Sequence, residues 1–414
     1  MQESTPTYCG TGAIDRLIKY CRSSGLDRFL LVSDENTHAV LGARAEAALR
    51  AQGWDVRTVV LSGEEVIADE EYIVQVLLVA GRQRWTYVAV GSGTVTDISR
   101  FCSHRTQNDF ISLPTAPSVD GYTSIGASPV VRRVKITTPA QPPIAVFCDL
   151  QTLCQAPSKL IAAGFGDMLA KYVALADWEL AAALMDEPYD ADIAQRMRHA
   201  LKSCVAFAQE IGQGSSHGIE KLMAGLLESG RCMVESGNSR PASGSEHLPS
   251  HYWEMRLLQE RRPSTLHGAR VGIGTILAAQ RYEAIKGLTQ QDVVTRLAQA
   301  RPPDRETEIA CIRDAFGPTA NRIVAEYEPF LERMRQSFDV WRQRIVDCWA
   351  DVQRIAASVP PPEELADLMR QAGAPSTPQE IGLGQDDVQQ ALRVSHYLRN
   401  RFTVNTVGQM LDLW

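Results

Sequence analysis

Between residues 88 and 101 the sequence VAVGSGTVTDISRF carries an apolar, β-branched run that ends in Gly91, Ser92 and Gly93 and passes at once into a helical pattern. Glycine lets a backbone come close to a phosphate, while Ser92, Thr94 and the amides of a helix start offer donors at the positive end of the helix dipole. The spacing is GxGxxxD and follows the third apolar run rather than the first. It is therefore not the GxGxxG fingerprint with an acid about 20 residues on, and a plain tight turn is the competing use. A second segment, SLPTAPSVDGYTSIGAS (112–128), follows the fourth run and is dense in small hydroxyl residues around one acid, Asp120. In open α/β sheets ligands bind at the carboxyl ends of strands, so both loops would face one crevice. Thr115, Ser118 and Ser124 are then placed to bind a dinucleotide and Asp120 to accept hydrogen bonds from a polyol. Asx or Ser turns closing on their own backbone are the alternative.

Farther along stand Asp167 in GFGDMLAKY, His247 in SGSEHLPSHYWEM and His267 in TLHGARVGIG. One carboxylate and two imidazoles with an open position suit Zn, Ni or Fe holding a substrate oxygen for Lewis-acid work. A lone histidine means little, since His38, His104, His199 and His217 have no such company. His251 follows His247 by four residues, which on a helix puts both on one face. Pro249 lies between them and is comfortable only in a first turn. A helix starting near Leu248 leaves His247 in the entering loop and His251 on the first turn, as a substrate contact or proton relay rather than a third imidazole ligand.

The elements that must position these groups fall into two stretches. Over residues 1–150, short apolar runs alternate with helical segments, the pattern of a parallel sheet covered by helices. RFLLVS (28–33) precedes a helix over about 36–52, WDVRTVVL (54–61) precedes one over 69–82, and TYVAV (86–90) and DFISLP (109–114) complete a Rossmann-like α/β domain. VVRRVKIT (131–138) and IAVFCDL (144–150), separated by PAQPP, predict a hairpin-type addition to that sheet. From 151 to 414 the periodicity is helical throughout, with loops at 236–245 and 301–304, a long helix over 319–356 and a Pro-rich break at 358–364. That predicts an all-α C-terminal domain.

Length favours two domains, because single cores stop growing near ~250–300 residues. The 42 Lys plus Arg and 49 Asp plus Glu give a net charge of -7 without long runs of one sign, which argues against a nucleic-acid surface. Nine cysteines without a CxxC pair argue against a disulfide framework or a zinc knuckle. No apolar stretch approaches the ~18–20 residues of a membrane span, and the first residues lack a basic leader, so a cytoplasmic location is expected.

Taken together, these blocks resemble the sn-glycerol-1-phosphate dehydrogenases, relatives of iron-containing alcohol dehydrogenases, glycerol dehydrogenase and dehydroquinate synthase. GSGTVTD, LPTAPSVDGYTS, GFGDMLAKY, PASGSEHLPSHYWEM and LHGARVGIG stand in the family's order and spacing, over roughly residues 5–290. The wording SEHLPSHYWEM and the long helical tail are closer to the bacterial branch.

The resemblance implies a dehydroquinate synthase-like fold and NAD(H) or NADP(H) bound by Gly93, Thr94, Val95, Thr96, Asp97, Thr115, Ala116, Pro117, Ser118 and Ser124, with Asp34 toward the adenosine end. It implies one divalent metal (Zn, Ni or Fe) on Asp167, His247 and His267, and substrate contacts on Asp120, Asp167 and His251, with Asp120 and His251 as the catalytic candidates. The implied reaction is the reversible reduction of dihydroxyacetone phosphate to sn-glycerol 1-phosphate. Lys171, Arg256 and Arg270 are the nearest basic groups for the phosphate. Glycerol oxidation, a dehydroquinate-synthase-like cyclisation and a catalytically silent nucleotide-binding relative are the competing readings. SVDGYTS favours the glycerol-phosphate branch by resemblance, and a silent relative would have lost a ligand or the glycine turn. A homodimer is expected, with the helical tail as its surface.

Overall fold

The computed structural model describes residues 5–136 and 138–414, which divide into two compact units. The first contains the chain up to Met168, Lys202–Asn238 and Gln371–Ala374; the second contains Leu169–Leu201, Ser239–Arg370 and Pro375–Trp414.

The first unit is built on a six-stranded sheet in the spatial order Thr7–Gly10, Ala145–Asp149, Phe110–Pro114, Thr86–Gly91, Arg28–Asp34, Asp55–Leu61. All of its pairings are parallel. A parallel sheet needs cover on both faces, which is why its central strands are continuous apolar runs. Side chains alternate across it. Phe29 and Leu31 pack with Leu17 and Cys21 from helix Ala13–Ser23, Leu41 from the helical turn His38–Gly42, and Ala45 and Leu49 from helix Ala43–Arg50. Leu30 and Val32 pack with Tyr72, Ile73, Val76, Val95 and Ile98 from helices Glu70–Ala80 and Gly93–Arg105.

Two strand expectations need correction. The run at 131–138 does not join the main sheet: Val130–Val131 and Val134–Lys135 form a two-residue antiparallel hairpin, and Thr138–Pro139 pairs with Gly126–Ala127. Arg132 and Arg133 sit at φ 50° and 63°, the paired left-handed turn that folds a strand back on itself, so the β-branched run is cut in half. Position 137 of that run lies outside the described residues. The second run, Ala145–Asp149, does enter the sheet, as an internal parallel strand between Thr7–Gly10 and Phe110–Pro114 rather than as one arm of a hairpin. Thr7–Gly10 is itself an edge strand that its four residues did not announce.

From Arg28–Asp34 the chain moves to Asp55–Leu61 on one side and then returns to Thr86–Gly91 on the other. The direction of winding switches between these neighbours, so Asp34 and Gly91 end adjacent strands at the place where such sheets bind ligands.

Among the described residues, the regular elements of the second unit are all helices. Those that matter for the chemistry are Lys171–Met185, His247–Glu260 and His267–Lys286. The long pattern at 319–356 resolves into Ala320–Gln336, Phe338–Asp347 and Trp349–Ala357, broken at Ser337 and Cys348.

Candidate metal and cofactor site

The strand Thr86–Gly91 hands over to the helix Gly93–Arg105 through Ser92, whose side chain makes no cap hydrogen bond. The first-turn amides therefore lack a side-chain cap, the condition under which a helix start receives an anion. A Cβ at Gly91 would lie 2.5 Å from the Val95 Cβ, so glycine is needed for the helix to fold back over the strand end. Val95 and Thr96 are buried; Val95 can offer a cofactor its backbone amide, whereas the Thr96 amide already donates to the Ser92 carbonyl at 3.1 Å. Thr94 and Asp97 are half-buried at the mouth of this turn. At the neighbouring strand end, Asp34 accepts from the Thr37 amide at 2.8 Å while its own amide donates to the Thr37 hydroxyl at 3.0 Å. One carboxylate oxygen of Asp34 thus caps the next helix, and its second oxygen lies outside that cap.

Thr115, Ala116, Pro117, Ser118 and Ser124 are all buried in the loop after Phe110–Pro114. Two of the hydroxyls serve the loop itself. Ser118 Oγ lies 3.2 Å from the Tyr122 hydroxyl, which donates to the Ala116 carbonyl at 2.5 Å, and Ser124 Oγ donates to the Gly121 carbonyl at 3.0 Å. Burial pushes the Tyr122 phenol up, so it remains a donor. The loop is held from below by Arg100, a residue the sequence reading missed. Its guanidinium is 1% exposed and donates to the carbonyls of Gly121 (2.5 Å), Gly126 (3.0 Å) and Tyr122 (3.1 Å) and to Asp97 (3.1 Å). Burial lowers its pKa and Asp97 opposes that. The i, i+3 spacing from Asp97 was the available sign of it.

Two helices of the same unit clasp this loop through glycines. A Cβ at Gly164, in Ser158–Leu169, would fall 1.8 Å from the Pro117 carbonyl oxygen, and one at Gly230, in Ser216–Ser236, would fall 2.0 Å from Thr123 Oγ1. Asp120 is fixed at both ends: its amide donates to Asp167 Oδ2 at 3.0 Å, and its own Oδ2 accepts from Ser229 Oγ at 2.7 Å.

Asp167 stands in the last turn of Ser158–Leu169, His247 opens the helix His247–Glu260 and His267 opens His267–Lys286. The rings of His247 and His267 lie with their centroids 5.4 Å apart. Asp167 and His247 are buried and His267 is half-buried. One carboxylate and two imidazoles are the donor set of a divalent transition-metal site, and by residue type these three fit such an ion. Pro249 falls in the first turn of its helix, where the missing amide hydrogen has no intrahelical acceptor to lose. His251, one turn on, has its ring centroid 5.9 Å from those of both His247 and His267, beside the ligand set and not part of it.

The three basic candidates are engaged elsewhere. Lys171 is fully buried and donates to the Ala242 carbonyl at 3.1 Å, Arg256 pairs with Glu260, and Arg270 pairs with Glu254 at 3.2 Å. Two buried acids escaped notice in the sequence. Glu246 lies 2.6 Å from the His247 ring, and its position directly before a candidate ligand histidine was the only sign of it. Asp177 accepts from the amides of Ser245 (2.6 Å) and Val404 (2.8 Å) and from the Tyr282 hydroxyl (2.7 Å). Burial, reinforced by the charge of Glu246, raises Asp177 to about 6 in spite of these donors.

Residues 8–157 match the model of the iron-containing alcohol dehydrogenase family. The chain is 38% identical to a glycerol-1-phosphate dehydrogenase (NAD(P)+) of Geobacillus stearothermophilus, over 95% of this chain and 90% of the relative. It is 36% identical to the enzyme of the same description from Bacillus subtilis strain 168, over 95% and 88%. Among solved structures, a probable glycerol dehydrogenase of Sinorhizobium meliloti 1021 superimposes with a TM-score of 0.64 at 17% identity, covering 99% of this chain and 95% of that one, which establishes the fold. The chain belongs to the glycerol-1-phosphate dehydrogenase family.

Proposed function

We propose that this chain reduces dihydroxyacetone phosphate to sn-glycerol 1-phosphate, reversibly, with NAD(P)H. The observation that carries the reading is the pairing of the His247 and His267 rings, centroids 5.4 Å apart, beside the tie of the Asp120 loop to Asp167, in a chain whose relatives bear that name. Asp167, His247 and His267 would hold one Zn, Ni or Fe ion, which when bound supplies Lewis-acid stabilisation of charge on a substrate oxygen. The nicotinamide supplies the hydride.

The chain's own residues do the rest. The first-turn amides at Gly93, Thr94 and Val95 would take the pyrophosphate, Thr115–Ser118 and Ser124 would shape the wall beside it, and Asp34 would face the adenosine ribose. Asp120, fixed by Ser229, accepts a hydrogen bond from a substrate hydroxyl. His251, beside the ligand histidines, holds the proton that the product alcohol oxygen must gain.

The test is loss of reduced-nicotinamide absorbance by metal-loaded protein offered dihydroxyacetone phosphate or dihydroxyacetone, with chiral analysis of the product. Turnover of the phosphate ester to the sn-1 product is expected. Preference for the unphosphorylated ketone, or turnover of neither with cofactor bound, overturns the reading. We further infer a cytosolic homodimer. All nine cysteines are free thiols, as a reducing compartment requires, and Val74, Leu78 and Val340 expose apolar surface. Among the described residues no helix is long and apolar enough to cross a membrane. Sedimentation as a strict monomer would remove the dimer.

A further inference from the structure

Glu246 is 0% exposed, and its Oε1 lies 2.6 Å from His247 Nδ1 and accepts from the Gly244 amide at 2.8 Å. Oε1 already acts as an acceptor toward that amide, so the proton of the short contact sits on Nδ1 and the lone pair of the imidazole is left on Nε2. We propose that Glu246 is a positioning residue for the metal ligand His247: it fixes the tautomer and ring plane that turn Nε2 toward the ion and makes that nitrogen a stronger donor. The inference rests on Asp167, His247 and His267 being the metal ligands.

The surroundings of Glu246 are built to hold it still. A Cβ at Gly244 would lie 2.6 Å from Asp177 Oδ2 and 2.8 Å from Glu246 Oε2, so only glycine lets both carboxylates close on that backbone. The Ser245 amide donates to Asp177, which the Tyr282 hydroxyl and the Val404 amide hold in turn. Gly274 does the same from the other side: a Cβ there would fall 2.1 Å from the Glu246 carbonyl oxygen. The helix that begins with the ligand His267 therefore packs directly on the residue that orients the ligand His247.

The experiment measures zinc affinity of the metal-free full chain by competition with a chromogenic chelator, the visible spectrum of the cobalt(II)-loaded chain, and the melting temperature without metal. Glu246→Gln keeps size and one acceptor oxygen but removes the charge. It should bind zinc about 10–100-fold more weakly and shift the cobalt spectrum, with the metal-free melting temperature little changed. A role in folding alone would lower the melting temperature and leave the zinc affinity of the folded chain intact, which overturns the proposal. Should Glu246→Gln fail to fold, Glu246→Asp keeps the buried charge but withdraws it from Nδ1 by one methylene. Weakened zinc binding in that variant supports the proposal, and wild-type affinity overturns it. His267→Ala separates the two levels of argument: if it loses zinc while the Glu246 variants keep it, only this inference fails, and if it keeps zinc the metal site itself fails.

Discussion

The backbone amide of Asp120 donates to the carboxylate of Asp167 across 3.0 Å. One residue of the loop expected to face cofactor and substrate is thereby tied to a candidate metal ligand, and both belong to the same compact unit. Moving the loop moves the ligand. The side chain of Asp120 is aimed independently, by Ser229 from the helix Ser216–Ser236.

Ser229→Ala tests that aim. A hydrogen bond to a charged group contributes about 1.5–3 kcal/mol, and Ser229 is fully buried, so no water replaces it. The expected result is a fall of roughly 10-fold or more in kcat/KM for dihydroxyacetone phosphate, with the KM for NADH and the zinc content unchanged. Wild-type kcat/KM in steady-state kinetics would remove Asp120 from substrate binding.

Removal of the metal should act on stability as well as rate. An ion that binds only the folded chain adds RT ln(1 + [L]/Kd), so stripping by a chelator should abolish turnover and lower the melting temperature, and zinc or nickel should restore both. His267→Ala and Asp167→Asn should reproduce the stripped state and fail to respond to added metal. A stripped enzyme with full activity, its metal content checked by elemental analysis, would contradict the mechanism.

At Gly164 the issue is space. Alanine there places a carbon 1.8 Å from the Pro117 carbonyl oxygen, a backbone atom that can yield only by shifting the loop from Thr115 to Ser118. Gly164→Ala should therefore raise the KM for NADH at least about 10-fold and lower the melting temperature, because the clash must be relieved by moving packed backbone. Unaltered cofactor affinity, measured by fluorescence titration, would place the cofactor away from this loop.

How much of this was legible in the residues differs by element. The central strands could be read because parallel strands buried on both faces are continuous apolar runs, and Gly91 and Gly93 stood out because a strand ended on them. Thr7–Gly10 could not be read, since four residues at a sheet edge carry no period. The run at 131–138 misled because periodicity does not register two arginines held at positive φ. The candidate metal set was visible by residue type, and the structure brings the rings of His247 and His267 to 5.4 Å from each other. Glu246 showed only its place before His247, whereas Asp177, Ser229 and Arg100 were hidden for a common reason. Their roles come from partners brought together by folding, up to 227 positions apart in the case of Asp177 and Val404, and a buried acid looks like any other in a sequence. Of the two uses weighed for the serines of the 112–128 loop, the structure displays the local one, since Ser118 and Ser124 bond within their own loop.

His396, a histidine outside the chemistry, makes the stability of the fold depend on pH. His396 stacks on Tyr397 with ring centroids 4.0 Å apart, meets the Tyr327 ring edge-on and lies 2.9 Å from the Gln409 side-chain amide. Burial, with the nearby Arg281 cation adding to it, lowers its pKa from 6.5 to about 3. The folded chain therefore keeps this imidazole neutral where the unfolded chain would protonate it. The sign follows directly: above pH 6.5 neither state binds the proton and the contribution is fully present, whereas between 6.5 and 3 only the unfolded state binds it, so stability falls as pH falls. Over that window the loss is on the order of a few kcal/mol. His396→Gln removes the titrating group while retaining a polar side chain, and it should flatten the acid limb of a melting-temperature profile even if it lowers the value at neutral pH. If both proteins lose stability with the same slope below pH 6.5, the acid sensitivity belongs to other groups, and His396 is already charged in the fold or as hard to protonate unfolded.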